Sequence, residues 1–384
     1  MPNASVAATV QFISPLRSAV GGLIALAVAI GIGRFIYTPI LPSMMAALGL
    51  PKFDAGLIAS ANFAGYLAGA LLVTGPRLSA RRWILGGMIA SAFATAAMGL
   101  ARSMTLFVIL RATGGLASAV VLVLACATVL DALAAAERSD LGTLMFAGVG
   151  VGITASAALI CALRATEIQW PAPWLAGGAL SLLGVFACWR LIPDRKPLVP
   201  AAKGGAAPFD PRFTRLTIAY GLFGFAYIIT ATFLVAIVRS SSGTRQIEPV
   251  VWVVFGLAAI PSVSMWSAIG RRLGATRGFA LAALAEAIGV LGTVTWKSVA
   301  GVFLATVLVG GTFMGLTSLG LTRGRQLATE NPQRGLALMT SAFGIGQIVG
   351  PSFAGALSDR LGSFTLPSVA AAAALIVSAA LAAV

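Results

Sequence analysis

Two arginines stand where their neighbours are apolar: Arg34 inside residues 29–45 (AIGIGRFIYTPILPSMM) and Arg111 inside residues 104–131. A guanidinium is permanently charged and presents its N–H donors as a planar fork that matches a carboxylate or a sulfonate. Within hydrocarbon such a charge costs about 2.5–3.5 kcal/mol on insertion scales, so it is expected to face a cavity, a partner or a substrate. Tyr37 lies one short step from Arg34 on the same helical face. Pro39 and Pro42 free backbone carbonyls and let the helix bend, which is tolerated where the chain lines a water-filled space. The chemistry these residues suggest is capture of a small anion. The alternative for Arg34 is a side chain that snorkels to the membrane interface. Arg34, Tyr37, Asn62, Tyr66, Arg111, Tyr227 and Gln347 are the candidate substrate-binding residues, with Asn62 the first choice among the uncharged ones; Thr230 and Thr317 are further hydrogen-bonding groups.

What the chain lacks narrows the chemistry. It has no His, and of eleven carboxylates one, Glu286, lies well inside an apolar run. The usual constellations for zinc or for general acid–base hydrolysis are therefore missing, and neither an enzyme nor a cofactor or metal is expected. Cys126, Cys161 and Cys188 all fall inside apolar runs and are odd in number, so they read as small buried residues rather than a disulfide framework. Without His, proton coupling would need Asp54, Asp131, Glu286 or a titrating substrate.

The elements that must position these residues are membrane spans. With 59% apolar and 10% charged residues, a mean hydropathy of +0.97 and apolar runs of 18 or more residues along the whole chain, this is an all-α polytopic membrane protein. Six spans are predicted at 18–46, 54–75, 83–101, 104–131, 141–163 and 172–192, and six more at 216–239, 249–270, 278–296, 298–322, 336–356 and 364–384. Residues 1–192 and 216–384 then form two six-helix bundles, joined by a linker at 193–215. Placing the N-terminus in the cytoplasm puts seventeen Lys and Arg on that side and seven outside, so both termini are expected in the cytoplasm and the protein in the inner membrane. The net charge of +15 reflects these loop residues and suits anionic headgroups; no nucleic-acid module is present. The first span lacks a basic leader and a cleavage site, and reads as retained. The seven Trp lie near predicted span ends, as interface anchors do. The halves repeat weakly: Phe35-Ile36-Tyr37 matches Phe225-Ala226-Tyr227, and Gly114-Gly115 matches Gly310-Gly311. Such repeats place a substrate near the midplane between two rocking bundles.

With these residues in view the chain resembles the major facilitator superfamily over its whole length. Arg111-Ala-Thr-Gly114-Gly115-Leu-Ala117 is similar to that family's motif B, which implies a cavity-facing arginine with a part in coupling. Gly355-Ala-Leu357-Ser358-Asp359-Arg360-Leu-Gly362 is similar to its motif A, here between spans eleven and twelve. At the usual motif A position, Gly75-Pro-Arg77-Leu-Ser-Ala-Arg81-Arg82, and again at Arg271-Arg272-Leu-Gly274-Ala-Thr-Arg277, the basic residues stand without the aspartate. The coupling and gating candidates that follow are Arg81, Arg82, Arg111, Asp131, Asp359 and Arg360, with Glu137, Asp140 and Glu330 as further partners for loop arginines. Residues 346–355 (GQIVGPSFAG) resemble motif C but fall in span eleven rather than span five, so an antiporter does not follow from them. GIGRFIYTPILP with Ser60 to Gly69 is most similar to the YbfB/YjiJ-type branch.

The resemblance implies that spans one, four, seven and ten line the cavity, that two, five, eight and eleven flank it, and that span nine is peripheral. All four Tyr fall in spans one, two and seven. Glu286, in span nine, is expected to satisfy a helix–helix contact rather than to couple. The positions matching Arg34 and Arg111 in the second half are Gly224 and Val307, which makes the cavity cationic on one wall. Gly65 and Gly69, Gly148 and Gly152, Gly311 and Gly315, and Gly346 and Gly350 form small-xxx-small pairs that fit either sliding or static packing. The first functional reading is a monomeric secondary active transporter working by alternating access on a small organic anion, with Arg34 and Arg111 as its clamp. The second is a proton-coupled multidrug or metabolite efflux antiporter; the third is a receptor that kept the fold.

Overall fold

The computed structural model of the chain describes residues 14–73, 79–164, 170–193 and 210–383. Spans one to twelve run Pro15–Leu48, Lys52–Leu72, Ala80–Met98, Met104–Ala135, Gly142–Arg164, Pro171–Cys188, Pro211–Ser240, a bent pair Glu248–Ala259 and Ser262–Leu273, Ala275–Thr295, Val299–Leu327, Pro332–Leu361 and Thr365–Ala383. Among the described residues ten of these helices are long and apolar enough to cross a membrane alone, and the bent pair makes an eleventh. Span three is the twelfth; Arg81 and Arg82 at its start lower its hydropathy. The spans form two six-helix bundles. Most of the linker (194–209) and the Gly75-Pro-Arg77 stretch lie outside the described residues.

Capping chemistry sets the edges. Span seven starts at Pro211, five residues before the predicted 216, because Asp210 accepts from the Arg212 N–H at 2.7 Å and Pro211 fits the first helical position. Span eleven likewise starts at Pro332 behind Asn331, whose side chain accepts from the Arg334 N–H at 3.0 Å. Span one stops at Gly49, where φ is +62°, a left-handed cap that glycine adopts without strain.

The break in span one is displaced from where its prolines suggest. A π-helical turn at Ala27–Ile32 and an open turn through residue 36 precede Tyr37–Leu48, which carries Pro39 and Pro42. A proline ring clashes with the carbonyl four residues earlier, so Pro39 acts at Phe35 and the disruption falls on its N-terminal side. Span eight, read from sequence as continuous, bends by 43° beside Pro261. Ser262 and Trp266 bind that bend to span ten: Ser262 Oγ and Trp266 Nε1 donate to Gly311 O at 2.8 and 2.9 Å, and Ser262 Oγ accepts from Gly315 N at 3.0 Å.

Small residues let backbones meet, but the predicted glycine pairs do so inside bundles. A Cβ on Gly65 or Gly115 would enter the facing backbone at Ala112 or Asn62, joining spans two and four; Gly148 and Gly152 meet Leu23 and Ala27; Gly346 and Gly350 meet span seven at Gly221 and Phe225. All of these contacts lie within one bundle. The bundles touch through other glycines, Gly56 against Pro351, Gly355 against Lys52, Gly150 against Ile260 and Gly256 against Thr154. Gly115→Val is expected to lower stability by at least the about 1–3 kcal/mol typical of overpacking, since the obstacle is backbone. A thermal unfolding curve in detergent reads it; an unchanged midpoint would show that spans two and four are not in contact there.

The tryptophans divide. Trp83 and Trp189 are exposed as interface anchors should be, but Trp174, Trp252 and Trp266 are buried in the bundles, where their large rings fill space between helices. Of the cysteines, read from sequence as buried, Cys188 is buried while Cys126 and Cys161 are half-buried.

Candidate functional site

The open turn in span one leaves carbonyls that the helix ladder does not use. Arg111, 4% exposed, fills that gap from span four: Nη1 donates to Gly33 O and Nη2 to Arg34 O, both at 3.1 Å. Its guanidinium carbon lies 4.9 Å from the centre of the Tyr37 ring, a cation–π distance. Tyr37 in turn donates its hydroxyl to Ala55 O at 2.8 Å, and Asn62 Nδ2 donates to the carbonyl of Arg111 at 2.9 Å. Arg111, Tyr37 and Asn62 thus knit spans one, two and four. Tyr37 turns to Arg111 rather than Arg34, and Arg111 spends Nη1 and Nη2 on backbone while its Nε is unpartnered.

Arg34 is the opposite case. It is 6% exposed, yet its Nε and Nη2 have no hydrogen-bond partner. Its guanidinium carbon lies 4.2 Å from the Tyr66 ring centre and 5.2 Å from that of Phe63, so span two cradles its face and leaves donor edges unused. Snorkelling is excluded by this burial. An unpaired buried donor set of this strength is costly to leave empty.

Facing it, the second bundle offers an aromatic wall. Tyr227 accepts a hydrogen bond from Gln347 Nε2 and stacks on Phe313 and Phe343, each with a ring separation of 5.7 Å. Phe35 reaches across from span one to Phe313 at 6.0 Å and Trp252 at 6.3 Å, and Thr38 Oγ1 donates to Ala231 O at 2.6 Å. Asn62 Oδ1, Thr230 Oγ1 and Gln347 Oε1 are buried without partners. The structure thus places Arg34 on Tyr66 in the first bundle and Tyr227 on Gln347 in the second, joined through Phe35, Phe313, Phe343 and Trp252, aromatic residues that sequence reasoning missed. In a chain with 20 Phe nothing in the pattern marks these few. Thr317 donates to Phe313 O within its own helix. Val307, matched to Arg111 by the repeat, is 44% exposed and so lies outside this wall. A separate cavity of about 150 Å³ at Arg212, Thr276, Arg323 and Leu381 shares no residue with the site.

The predicted gating residues separate in the same way. Asp359 joins the bundles: Oδ1 accepts from Lys52 N at 3.1 Å and Oδ2 from Phe53 N at 2.8 Å, so a carboxylate from span eleven caps the first turn of span two. Lys52 Nζ donates to Ser358 O at 3.0 Å, and the Ser60 and Ser352 hydroxyls bond at 2.8 Å one level deeper. At the same end Cys161 Sγ donates to Pro249 O at 2.6 Å, between spans five and eight. Arg360 is exposed and takes no part among the described residues. Arg81 donates to Trp189 O and lies 5.9 Å from its ring, inside the first bundle, and the Arg82 side chain meets no acid among the described residues. Asp131, Glu137 and Glu330 make no ion pair among them either. Asp140 is held below the usual carboxylate range by hydrogen bonds from Arg138, two residues away, and so does not reach across loops.

Glu286 is 0% exposed and lies against Thr312 of span ten, a contact between helices; the Thr312 hydroxyl donates to Leu308 O and Val309 O, so both carboxyl oxygens are buried without a donated hydrogen bond.

The sequence matches the family described as uncharacterised MFS-type transporter YbfB over residues 26–383. The chain belongs to this family. The MFS fold is also found by structural comparison: a point mutant of the nucleoside transporter NupG superposes with a TM-score of 0.72 at 15% identity, covering 95% of this chain and 98% of that one. A bacterial homologue of the human lysosomal transporter Spinster does so in inward-facing unoccupied and occupied conformations, with TM-scores of 0.67 and 0.66 at 15% and 16% identity, covering 96% of both chains. No curated protein matches the sequence. This MFS chain is therefore a membrane transporter.

Proposed function

We propose that this transporter moves a small organic anion with an apolar or aromatic body, and that Arg34 receives its charge. The observation that carries this is a buried guanidinium with two nitrogens unpartnered, facing an aromatic wall. A carboxylate or sulfonate would accept from Nε and an Nη in paired geometry, and its body would pack on Phe313, Tyr227 and Phe343. Gln347 and Asn62 supply further polar contacts. Residues 1–192 and 216–384 are the rocking halves, in an inner membrane with both termini cytoplasmic. The Asp359 latch then lies on the outer face, and this conformation opens toward the cytoplasm. The aromatic wall also favours a second reading, efflux of lipophilic compounds.

Thermal-shift screening of the purified protein against anionic, neutral and cationic compounds tests the choice, because a ligand of the folded state raises stability by mass action. Anions are expected to give the large shifts; shifts confined to cations or neutral compounds would remove the anion reading. Asp359→Asn tests the latch. Losing a charge-assisted acceptor, worth about 1.5–3 kcal/mol, is expected to raise alkylation of Cys161 by an impermeant maleimide about tenfold or more, with Arg360→Ala unchanged. Equal rates in wild type and Asp359→Asn would show that the carboxylate does not hold the outer gate.

A further inference from the structure

Glu286 sits midway along span nine, which packs on spans seven, eight, ten and twelve. Span ten brings Thr312, whose hydroxyl is spent on its own helix, and its Arg323 and Arg325 lie in its last turns. Span seven brings Tyr227 and Tyr220, with Arg212, Arg215 and Arg239 near its ends. Span twelve carries no charged or titratable side chain. Span eight carries Glu248 at one end, paired with Arg239 at 3.7 Å, and Arg271 and Arg272 at the other. Span nine itself adds Arg277 in its first turn. Among the described residues no cation pairs with Glu286, and a bare carboxylate enclosed on all sides by helices is costly because nothing replaces its hydration. The packing seen here suits the neutral acid.

We propose that Glu286 is the proton-binding site that couples transport, protonated in this conformation and released when the second bundle rearranges and admits water. The step is a proton transfer: the carboxyl O–H bond breaks, the proton passes to an admitted water molecule, and the carboxylate remains until it is reprotonated from the other side. Coupling rests on the anion reading and on one chain of contacts: Thr312 beside Glu286 is followed by Phe313, which stacks on Tyr227 at 5.7 Å and meets Phe35, the neighbour of Arg34, at 6.0 Å. An anion at Arg34 and a carboxylate at Glu286 would be like charges on either side of this aromatic cluster in a low-dielectric interior. Proton and anion therefore favour each other's binding, and by linkage each tightens the other equally. The two travel in the same direction.

The proton itself is the probe. Infrared difference spectra of the full chain in lipid nanodiscs, taken as pH is raised, are expected to show loss of a protonated-carboxyl band that Glu286→Gln lacks. In a Cys126→Ser, Cys188→Ser background, Cys161 alkylation should vary several-fold with pH, become flat in Glu286→Gln and recover its pH response in Glu286→Asp. Rescue by the shorter acid is not expected of a packing role. The proposal is overturned by a band that persists in Glu286→Gln, or by a pH response retained in that variant while it stays folded. Anion binding is read separately by the thermal-shift panel. A pH-silent Glu286 with anions still bound ends the coupling proposal alone, and a titrating Glu286 in a protein that binds no anion ends the anion reading alone.

Discussion

Arg34→Ala is expected to abolish anion binding in a protein that still folds. The guanidinium makes no hydrogen bond through Nε or Nη2, so its removal breaks no backbone contact at those atoms and relieves a buried charge. What it takes away is a buried charge with two unpartnered nitrogens, where Arg111 has only its Nε unpartnered. Arg34→Lys keeps the charge but loses the planar fork and the flat stacking on Tyr66 at 4.2 Å. Binding of the strongest anion from the screen should weaken by about 1.5–3 kcal/mol, the value of a charge-assisted hydrogen bond. Titration followed by thermal shift reads the difference, and undiminished affinity in folded Arg34→Ala would make Arg34 a structural charge.

Arg111→Met should fail differently, in folding rather than binding. It removes the donors that serve Gly33 O and Arg34 O and leaves two buried carbonyls unpaired, at about 1–3 kcal/mol each. The open turn that places Arg34 would lose its support. A fall in unfolding temperature and in monodisperse yield is the expected result. Arg111→Lys restores one donor group and should spare binding more than turnover, because a residue that biases the two access states need not contribute equally in both. An Arg111→Met protein with wild-type stability would contradict the role assigned to these two hydrogen bonds.

The sequence made the spans legible because burial in hydrocarbon writes itself as long apolar runs, and Asp210-Pro211 and Asn331-Pro332 explain where the predicted edges slipped. It could not separate Arg34 from Arg111. Both are arginines in apolar runs, and only the open turn of span one decides which one is spent on carbonyls. Glycine spacing shows that a face is small without naming its partner, so the partners of Gly65 and Gly346, each inside its own bundle, emerge only from the structure. Asp359 could be picked out by its motif, but its partners Lys52 and Phe53 lie in the other half of the chain. Glu286 is expected to make a helix contact on family grounds, and that its neighbour Thr312 spends its hydroxyl on its own helix is a property of packing that no local pattern encodes.

Counterflow in proteoliposomes tests anion transport through Arg34 most directly. Vesicles preloaded with the best-stabilising anion are expected to accumulate the labelled compound transiently with wild-type protein and not with Arg34→Ala reconstituted at equal density. Equal accumulation by both proteins would contradict it.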